Sequence, residues 1–151
     1  MKFKTLLCFD YGSKRIGTAI GQAVTATATP LKTINCYHNR PDWVSIEKLI
    51  HDYLPDAIVV GIPLNMDGTS QPVMEAAARF ARQLEGRFNL PVFGMDERLS
   101  TFEAKKRSCQ ESNLDSIAAQ AILETWLAEH KNELNITESI LQDNEEADRR
   151  H

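Results

Sequence analysis

The sequence has few of the features that mark membrane, secreted or zinc-binding proteins. No apolar run is long enough to span a bilayer, and the N-terminal residues MKFKTLL lack the long apolar region of a signal peptide. The three cysteines, Cys8, Cys36 and Cys109, form no CxxC pair, which fits a reducing cytoplasm better than a disulfide framework. The four histidines are scattered without the spacing of zinc ligands. We therefore expect a cytoplasmic protein without a membrane partner.

The composition is that of an ordinary globular protein. With 151 residues, of which 42% are hydrophobic and 25% charged, the chain is long enough for one domain with a real core. The net charge of −4 neither indicates nor excludes a polyanionic partner, because local patches matter more than the sum. We predict one domain over residues 1–134. Residues 135–151 have little core character and are predicted to form a mobile tail.

The hydrophobic pattern predicts an α/β order of three strands, helix, strand, helix, strand and two helices. The first strands are TLLCFDY, RIGTAIGQA and ATATPLKTI, with Pro30 placing the third toward an edge or a bulge. DWVSIEKLIHDYL has a helical period, and DAIVVGI is typical of a strand buried on both faces of a parallel region. The next helix carries an apolar stripe from Val73 to Phe88, and LPVFGMDE is the last strand. A helix beginning at Ser100 follows, and the final helix runs from Asp115 to about His130.

Carboxylates stand at three places that a sheet of this order can bring together. Asp10 ends the first strand, Asp96 and Glu97 end the last, and Asp115 begins the final helix. If the first and last strands run parallel, their carboxyl ends meet at one edge, where open α/β sheets form their sites. Converging carboxylates repel one another unless divalent cations neutralise them, and an all-oxygen ligand set favours Mg²⁺ or Mn²⁺. Two such ions can support phosphodiester hydrolysis.

Each carboxylate also has a purely structural interpretation. Asp10 stands before a glycine turn and could open it through its side chain. The run SNLD makes Asp115 the third residue of a capping box with Ser112 as the cap. Asp96 and Glu97 could be solvated charges at a strand end. Residue types and spacing alone leave these roles and metal binding open.

Four motifs resemble those of one protein family. FDYGSKRIGTAIG, VVGIPLNMDGT, MDERLSTFEA and LDSIAAQAILETWL occur in the order and approximate spacing of the YqgF family, also called RuvX. The resemblance runs from about Phe3 to Leu127. It implies a ribonuclease H-like α/β fold, a mixed five-stranded sheet of order 3-2-1-4-5 with helices on both faces. It also implies a metal-dependent nuclease, in which Asp10, Glu97 and Asp115 are the catalytic residues and bind Mg²⁺ or Mn²⁺ as two ions.

Residues near these motifs are the predicted substrate contacts. Arg98 follows the proposed ligand and can bind a phosphate through two parallel hydrogen bonds. Asn65 and Asp67 lie in the GIPLNMDGT loop, for which a structured turn is an equally good interpretation. The complete set is Gly12, Lys14, Arg15, Asn65, Asp67, Arg98, Lys105, Lys106 and Arg107. Because such contacts hold the backbone, we expect recognition of nucleic acid by shape or single-stranded character.

Three functions fit these patterns. The first is a nuclease that matures the 5′ end of precursor small-subunit (pre-16S) ribosomal RNA, and the second is a Holliday-junction resolvase that cuts branched, four-way DNA. A resolvase should be a symmetric dimer, and the sequence has no obvious dimer signal, which leaves a homodimer open and favours RNA only weakly. The third is a nucleic-acid-binding module without catalysis. An ATP-binding kinase or actin-like fold would need a second domain, for which 151 residues leave no room.

Removal of residues 135–151 should leave the stability of the domain unchanged. The tail lacks apolar periodicity and cannot bury enough surface to offset the entropy lost on ordering it. Denaturant unfolding of the full and the shortened chain measures the effect. A loss of more than about 1 kcal/mol in the free energy of unfolding would show that the tail packs on the domain.

Overall fold

The computed structural model describes residues 3–12, 14–38, 40–62, 71–96 and 115–130. The strands in these ranges are β1 (Thr5–Asp10), β2 (Arg15–Gln22), β3 (Thr27–Pro30), β4 (Ile34–Tyr37), β5 (Arg40–Pro41), β6 (Ala57–Ile62) and β7 (Val92–Asp96). The helices are α1 (Trp43–Tyr53), α2 (Gln71–Phe88) and α3, over residues 115–130. None of the helices in this part of the chain is both long and apolar enough to cross a bilayer. The helix predicted from Ser100 and the predicted tail lie outside the described residues.

The strands form one mixed sheet whose parallel part carries the predicted site. Its order is β5-β4-β2-β1-β6-β7, and β3 also pairs with β2. β1 and β2 form an antiparallel hairpin in which Asp10 is opposite Gly17. β1, β6 and β7 run parallel, with Asp10 opposite Gly61 and Gly61 opposite Met95. The carboxyl ends of these three strands therefore lie level at one edge. The predicted site required this parallel arrangement of the first and last strands.

The predicted fold class is confirmed, but the strand order differs in detail from 3-2-1-4-5. The single third strand expected over ATATPLKTI is divided into β3 and β4, and β5 adds a further short strand at the edge. β3 pairs Thr29 with Ile20, whereas β4 pairs Ile34 with Ile16, so the register shifts by one residue between them. This shift is a β-bulge. It follows Pro30, and it confirms the bulge that the sequence suggested there.

The sheet is covered by helices on both faces. One face packs on α3 through a buried cluster that includes Leu6, Cys8, Val59, Met95, Ala119, Ile122 and Trp126. The other packs on α1 and α2 through a cluster that includes Leu7, Phe9, Ile58, Val60, Ile46, Ala77, Phe80 and Leu84. The two clusters take alternate residues of β1, as the pleat of a strand requires. Asp10 therefore continues the row of Leu6 and Cys8 on the α3 face.

Helices α1 and α2 confirm the periodicity read from the sequence. α1 begins after Asp42, whose carboxylate accepts hydrogen bonds from the Ser45 N–H at 3.3 Å and the Ser45 hydroxyl at 2.8 Å. These bonds lower the pKa of Asp42. On α2, the predicted stripe places Ala77, Phe80 and Leu84 in the core with at most 1% exposure. Both helices therefore bury their apolar stripes against the face of the sheet opposite α3.

Candidate active site

Asp10 lies at the last position of β1, where three strands meet. Its two cross-strand neighbours, Gly17 on β2 and Gly61 on β6, both lack side chains. Asp10 is partly exposed at this edge. Its carboxylate therefore stands between two positions that carry no side chain.

Gly17 brings the beginning of α3 against this position. A β-carbon on Gly17 would lie 1.8 Å from the Asp115 carbonyl oxygen and 2.9 Å from the Ser116 nitrogen, so no other residue fits there without moving backbone. Residues directly opposite in an antiparallel pair point to the same face, so Gly17 and Asp10 both face α3. The first described turn of α3, which carries Asp115, therefore lies over the β2 residue that pairs with Asp10.

Ser116 fixes the first turn of α3 in the bulge between β3 and β4. The carbonyl of Thr18 accepts the N–H of Leu31 at 2.8 Å, and the Thr18 N–H points to the same side of β2. There the buried Ser116 Oγ accepts the Thr18 N–H at 3.4 Å and shares a hydrogen bond with Thr33 Oγ1 at 3.0 Å. The Ser116 hydroxyl thus accepts the Thr18 N–H in place of the strand carbonyl that a ladder without the bulge would supply. Sequence reasoning missed Ser116, and the bulge expected near Pro30 was the one signal that pointed toward it.

Arg15 and Asp115 form an ion pair at the same edge. Arg15 Nε lies 2.9 Å from Asp115 Oδ2, and the two side chains are 64% and 34% exposed. Arg15, a predicted substrate contact, therefore neutralises the charge of Asp115, a predicted metal ligand. Pairs as exposed as this contribute about 0–1 kcal/mol, so a cation or a phosphate can replace either partner at little cost.

The other described residues of the predicted substrate surface lie in the hairpin between β1 and β2. Lys14 is exposed, and its carbonyl accepts the N–H of Cys36 at 2.8 Å. A β-carbon on Gly12 would lie 2.6 Å from the Arg15 carbonyl oxygen, so this turn requires glycine for the hairpin itself. Substrate contacts from Gly12 and Lys14 remain predictions.

Most of the remaining predicted site lies outside the described residues. This holds for Glu97, Asn65, Asp67, Arg98, Lys105, Lys106 and Arg107, and for the side chain of Asp96. Within the described ranges, no three histidine, cysteine, aspartate or glutamate side chains are grouped to hold a metal ion. The structure thus brings together the elements that carry Asp10 and Asp115, and the third ligand remains a prediction.

Two solved resolvases share this arrangement of sheet and helices. RuvC of T. thermophilus, in complex with a Holliday junction substrate, matches with a TM-score of 0.56 and 11% identity, over 82% of this chain and 94% of RuvC. The Fowlpox virus resolvase, in complex with Holliday junction DNA, matches with a TM-score of 0.51 and 16% identity, over 83% of this chain and 97% of the resolvase. At these identities the likeness shows the fold alone. The class that this likeness defines is one of fold, the ribonuclease H-like fold.

Within that class the chain belongs to the RuvX family. The family model, described as Holliday junction resolvase, matches residues 4–129, which confirms the resemblance carried by the four motifs. A relative from Pseudomonas putida is 50% identical over 82% of this chain and 94% of its own length. A relative from Cronobacter sakazakii is 48% identical over 83% of this chain and 97% of its own length. Both relatives are named "Putative pre-16S rRNA nuclease".

Gly17→Ala should destabilise the protein by at least about 1–3 kcal/mol, because the added β-carbon forces the beginning of α3 away from β2. The matched control is Gly86→Ala on α2, where an added β-carbon has no atom within 4 Å. That change should stabilise the helix by about 0.5–1 kcal/mol. Denaturant unfolding of both variants measures the contrast. Similar values for the two would show that α3 does not depend on the contact with Gly17.

Proposed function

We propose that this protein is a nuclease that hydrolyses phosphodiester bonds at the 5′ end of precursor small-subunit ribosomal RNA. The observation that carries the proposal is the contact at Gly17, which sets the helix that carries Asp115 over the strand pair that ends with Asp10. Membership of the RuvX family supports the reaction class, and the names of relatives about half identical to this chain support the substrate. Such a substrate agrees with the cytoplasmic location expected from the sequence.

Divalent cations belong to this proposal. Asp10 and Asp115 supply only carboxylate oxygens, the donor type that suits Mg²⁺ and Mn²⁺. Both residues are partly exposed, and the ion pair of Asp115 with Arg15 is weak enough to exchange for a cation. The donor chemistry at this edge therefore fits the two ions that the resemblance implied.

The third ligand in the proposal is Glu97. On β7, Phe93 and Met95 pack in the cluster that faces α3, whereas Val92 packs in the cluster on the other face. If the strand kept its regular alternation one step past Met95, position 97 would share the face of Met95. Glu97 itself lies outside the described residues, so the choice of Glu97 over Asp96 rests on this alternation and on the family motif.

The chain's own part in the reaction is to hold repelling groups in fixed positions. When bound, two divalent ions activate a water molecule and stabilise the leaving oxygen. Pairing with β2 and β6 fixes Asp10, while the Gly17 contact and the hydrogen bonds of Ser116 fix the backbone of Asp115. Arg15 is exposed beside them and can transfer from Asp115 to a substrate phosphate.

The remaining substrate contacts in the proposal are cations and loop residues near this edge. Lys14 is exposed in the hairpin that also carries Arg15. The others are Gly12, Asn65, Asp67, Arg98, Lys105, Lys106 and Arg107. Contacts of this kind hold the phosphate backbone and do not read base sequence. The proposed substrate is therefore selected by its shape or its unpaired segments.

Resolution of four-way DNA junctions is the second candidate function. The description of the matching family model, Holliday junction resolvase, favours it. Cutting opposed strands of one junction needs two sites, and a symmetric homodimer supplies them. The names of the relatives favour RNA, so the substrate must be compared directly.

Asp10→Asn should abolish metal-dependent cleavage and leave the fold intact, because the change is nearly isosteric and removes like-charge repulsion. Precursor ribosomal RNA and a four-way DNA junction are incubated side by side with wild type and variant, in Mn²⁺, Mg²⁺ or EDTA. Cleavage of RNA alone supports the proposal, and cleavage of the junction alone replaces it with the resolvase function. Cleavage of neither indicates a binding module. A variant that melts at a higher temperature yet keeps full activity would show that Asp10 serves only the turn.

Glu97→Gln should lower the rate of the chemical step by several orders of magnitude with little change in affinity for nucleic acid. Asp96→Asn is the matched control, since it is the neighbouring acid on the same strand end. It should cost less activity and proportionally more stability, as expected for a residue that supports a ligand. Single-turnover cleavage, binding in EDTA and thermal unfolding are measured for both variants. A larger loss of rate from Asp96→Asn would reverse the assignment.

A further inference from the structure

A cavity of about 640 Å³ lies on the face of the sheet opposite Asp10. Three aromatic rings line it. The centroid of Phe80 is 5.2 Å from that of Tyr11 and 5.6 Å from that of Trp43. Phe80 is 1% exposed and Tyr11 7% exposed, whereas Trp43 is only half-buried. Phe80 therefore forms the base of the cavity, and Trp43 presents part of its indole to the opening.

The wall of this cavity is positively charged. Arg40 of β5 and Arg79 and Arg87 of α2 line it, and no carboxylate is among the described lining residues. The guanidinium carbon of Arg87 lies 4.1 Å from the centroid of the Trp43 ring. Arginine over an indole face is a favourable cation–π arrangement. The pair presents a stacking surface with a positive charge at the mouth of the cavity.

The cavity lies close to the proposed catalytic edge. Tyr11 directly follows Asp10, so the two residues are about 3.4 Å apart along the chain direction and face opposite sides of the sheet. Burial raises the pKa of Tyr11, Cys36 adds to this rise, and Arg79 opposes it. Arg79 is thus within electrostatic reach of the Tyr11 hydroxyl. A strand that crosses the sheet edge at Asp10 arrives directly at the cavity.

We infer that this cavity binds an unpaired nucleotide of the substrate strand, next to the bond that is cut. The base stacks on the Arg87–Trp43 pair, and Arg40 and Arg79 bind the adjoining phosphates. Unpaired RNA bases stack on aromatic rings and on guanidinium planes, and the volume is within the range of pockets for small ligands. An acidic peptide would use the arginines and leave the stacking surface without a partner. The inference rests on the proposed function and adds the path of the strand.

Arg79→Gln should weaken binding of single-stranded RNA about tenfold, because it removes a charged hydrogen bond to phosphate. The probe is a short, fluorescein-labelled single-stranded RNA, followed by anisotropy in EDTA so that metal binding does not contribute. The slope of log affinity against log salt should fall by about 0.7, the value for one phosphate contact on a single strand. Arg82→Gln is the matched control. Arg82 is also exposed on α2 but is not among the residues that line the cavity, and its loss should change affinity by about twofold or less.

Photo-crosslinking locates the bound base independently of these charges. An RNA carrying 5-iodouridine should crosslink to Trp43 or Tyr11, as mapped by mass spectrometry of the digested complex. If Arg79→Gln and Arg82→Gln lose equal affinity for RNA, the attraction between protein and RNA is diffuse and the inference is overturned. Crosslinks only to residues outside the cavity would overturn it as well. Free AMP that binds as tightly as the RNA would assign the cavity to a free nucleotide and overturn it as well.

The same preparations separate this inference from the proposed function. If Arg79→Gln binds RNA normally while the wild type cleaves and Asp10→Asn does not, the cavity inference is wrong and the nuclease stands. If Arg79→Gln loses binding while neither wild type nor Asp10→Asn cleaves any substrate, the cavity is a nucleic-acid site and the nuclease proposal is wrong.

Discussion

The contact between Gly17 and the beginning of α3 is the constraint on which the rest of the site depends. Backbone atoms of Asp115 and Ser116 occupy the space that any side chain at position 17 would need. Because Gly17 is opposite Asp10, this contact places the helix that carries Asp115, about a hundred positions later in sequence, over the strand pair that ends with Asp10. A backbone contact of this kind has little freedom to adjust, since nothing flexible lies between strand and helix. The backbone of Asp115 is therefore held directly against β2.

The bulge between β3 and β4 completes this arrangement. A regular third strand would have satisfied the Thr18 N–H and left no opening in the edge of the sheet. With one extra residue in the bulge, the edge opens, and the hydroxyl of Ser116 enters in place of the missing partner. An irregularity in an edge strand thus serves to hold a helix, which agrees with the frequent occurrence of bulges beside active sites.

The pleat of β1 divides two chemical roles between the faces of the sheet. Asp10 is on the side of α3, the helix that carries Asp115, while Tyr11 packs among the aromatic residues on the side of α1 and α2. Asp10 and Asp115 belong to the α3 side, and three arginines line the cavity on the other side. The proposed function uses both, because the carboxylates would hold the divalent ions that act on the phosphodiester bond and the arginines would hold flanking phosphates. The net charge of −4 gives no indication that arginines line this cavity.

The sequence by itself determined the α/β class, the family, the periodicity of α1 and α2, and the identity of the candidate carboxylates. These depend on local patterns: the alternation of strands, the stripe of a helix, and motifs in a fixed order. The tertiary structure alone decided that β3 and β4 are separate and that Ser116 anchors α3. It also decided that Arg15 pairs with Asp115 and that three arginines share a cavity with Trp43. Each of these depends on contacts between segments far apart in sequence, and no local pattern encodes which distant backbone will lie against a given residue.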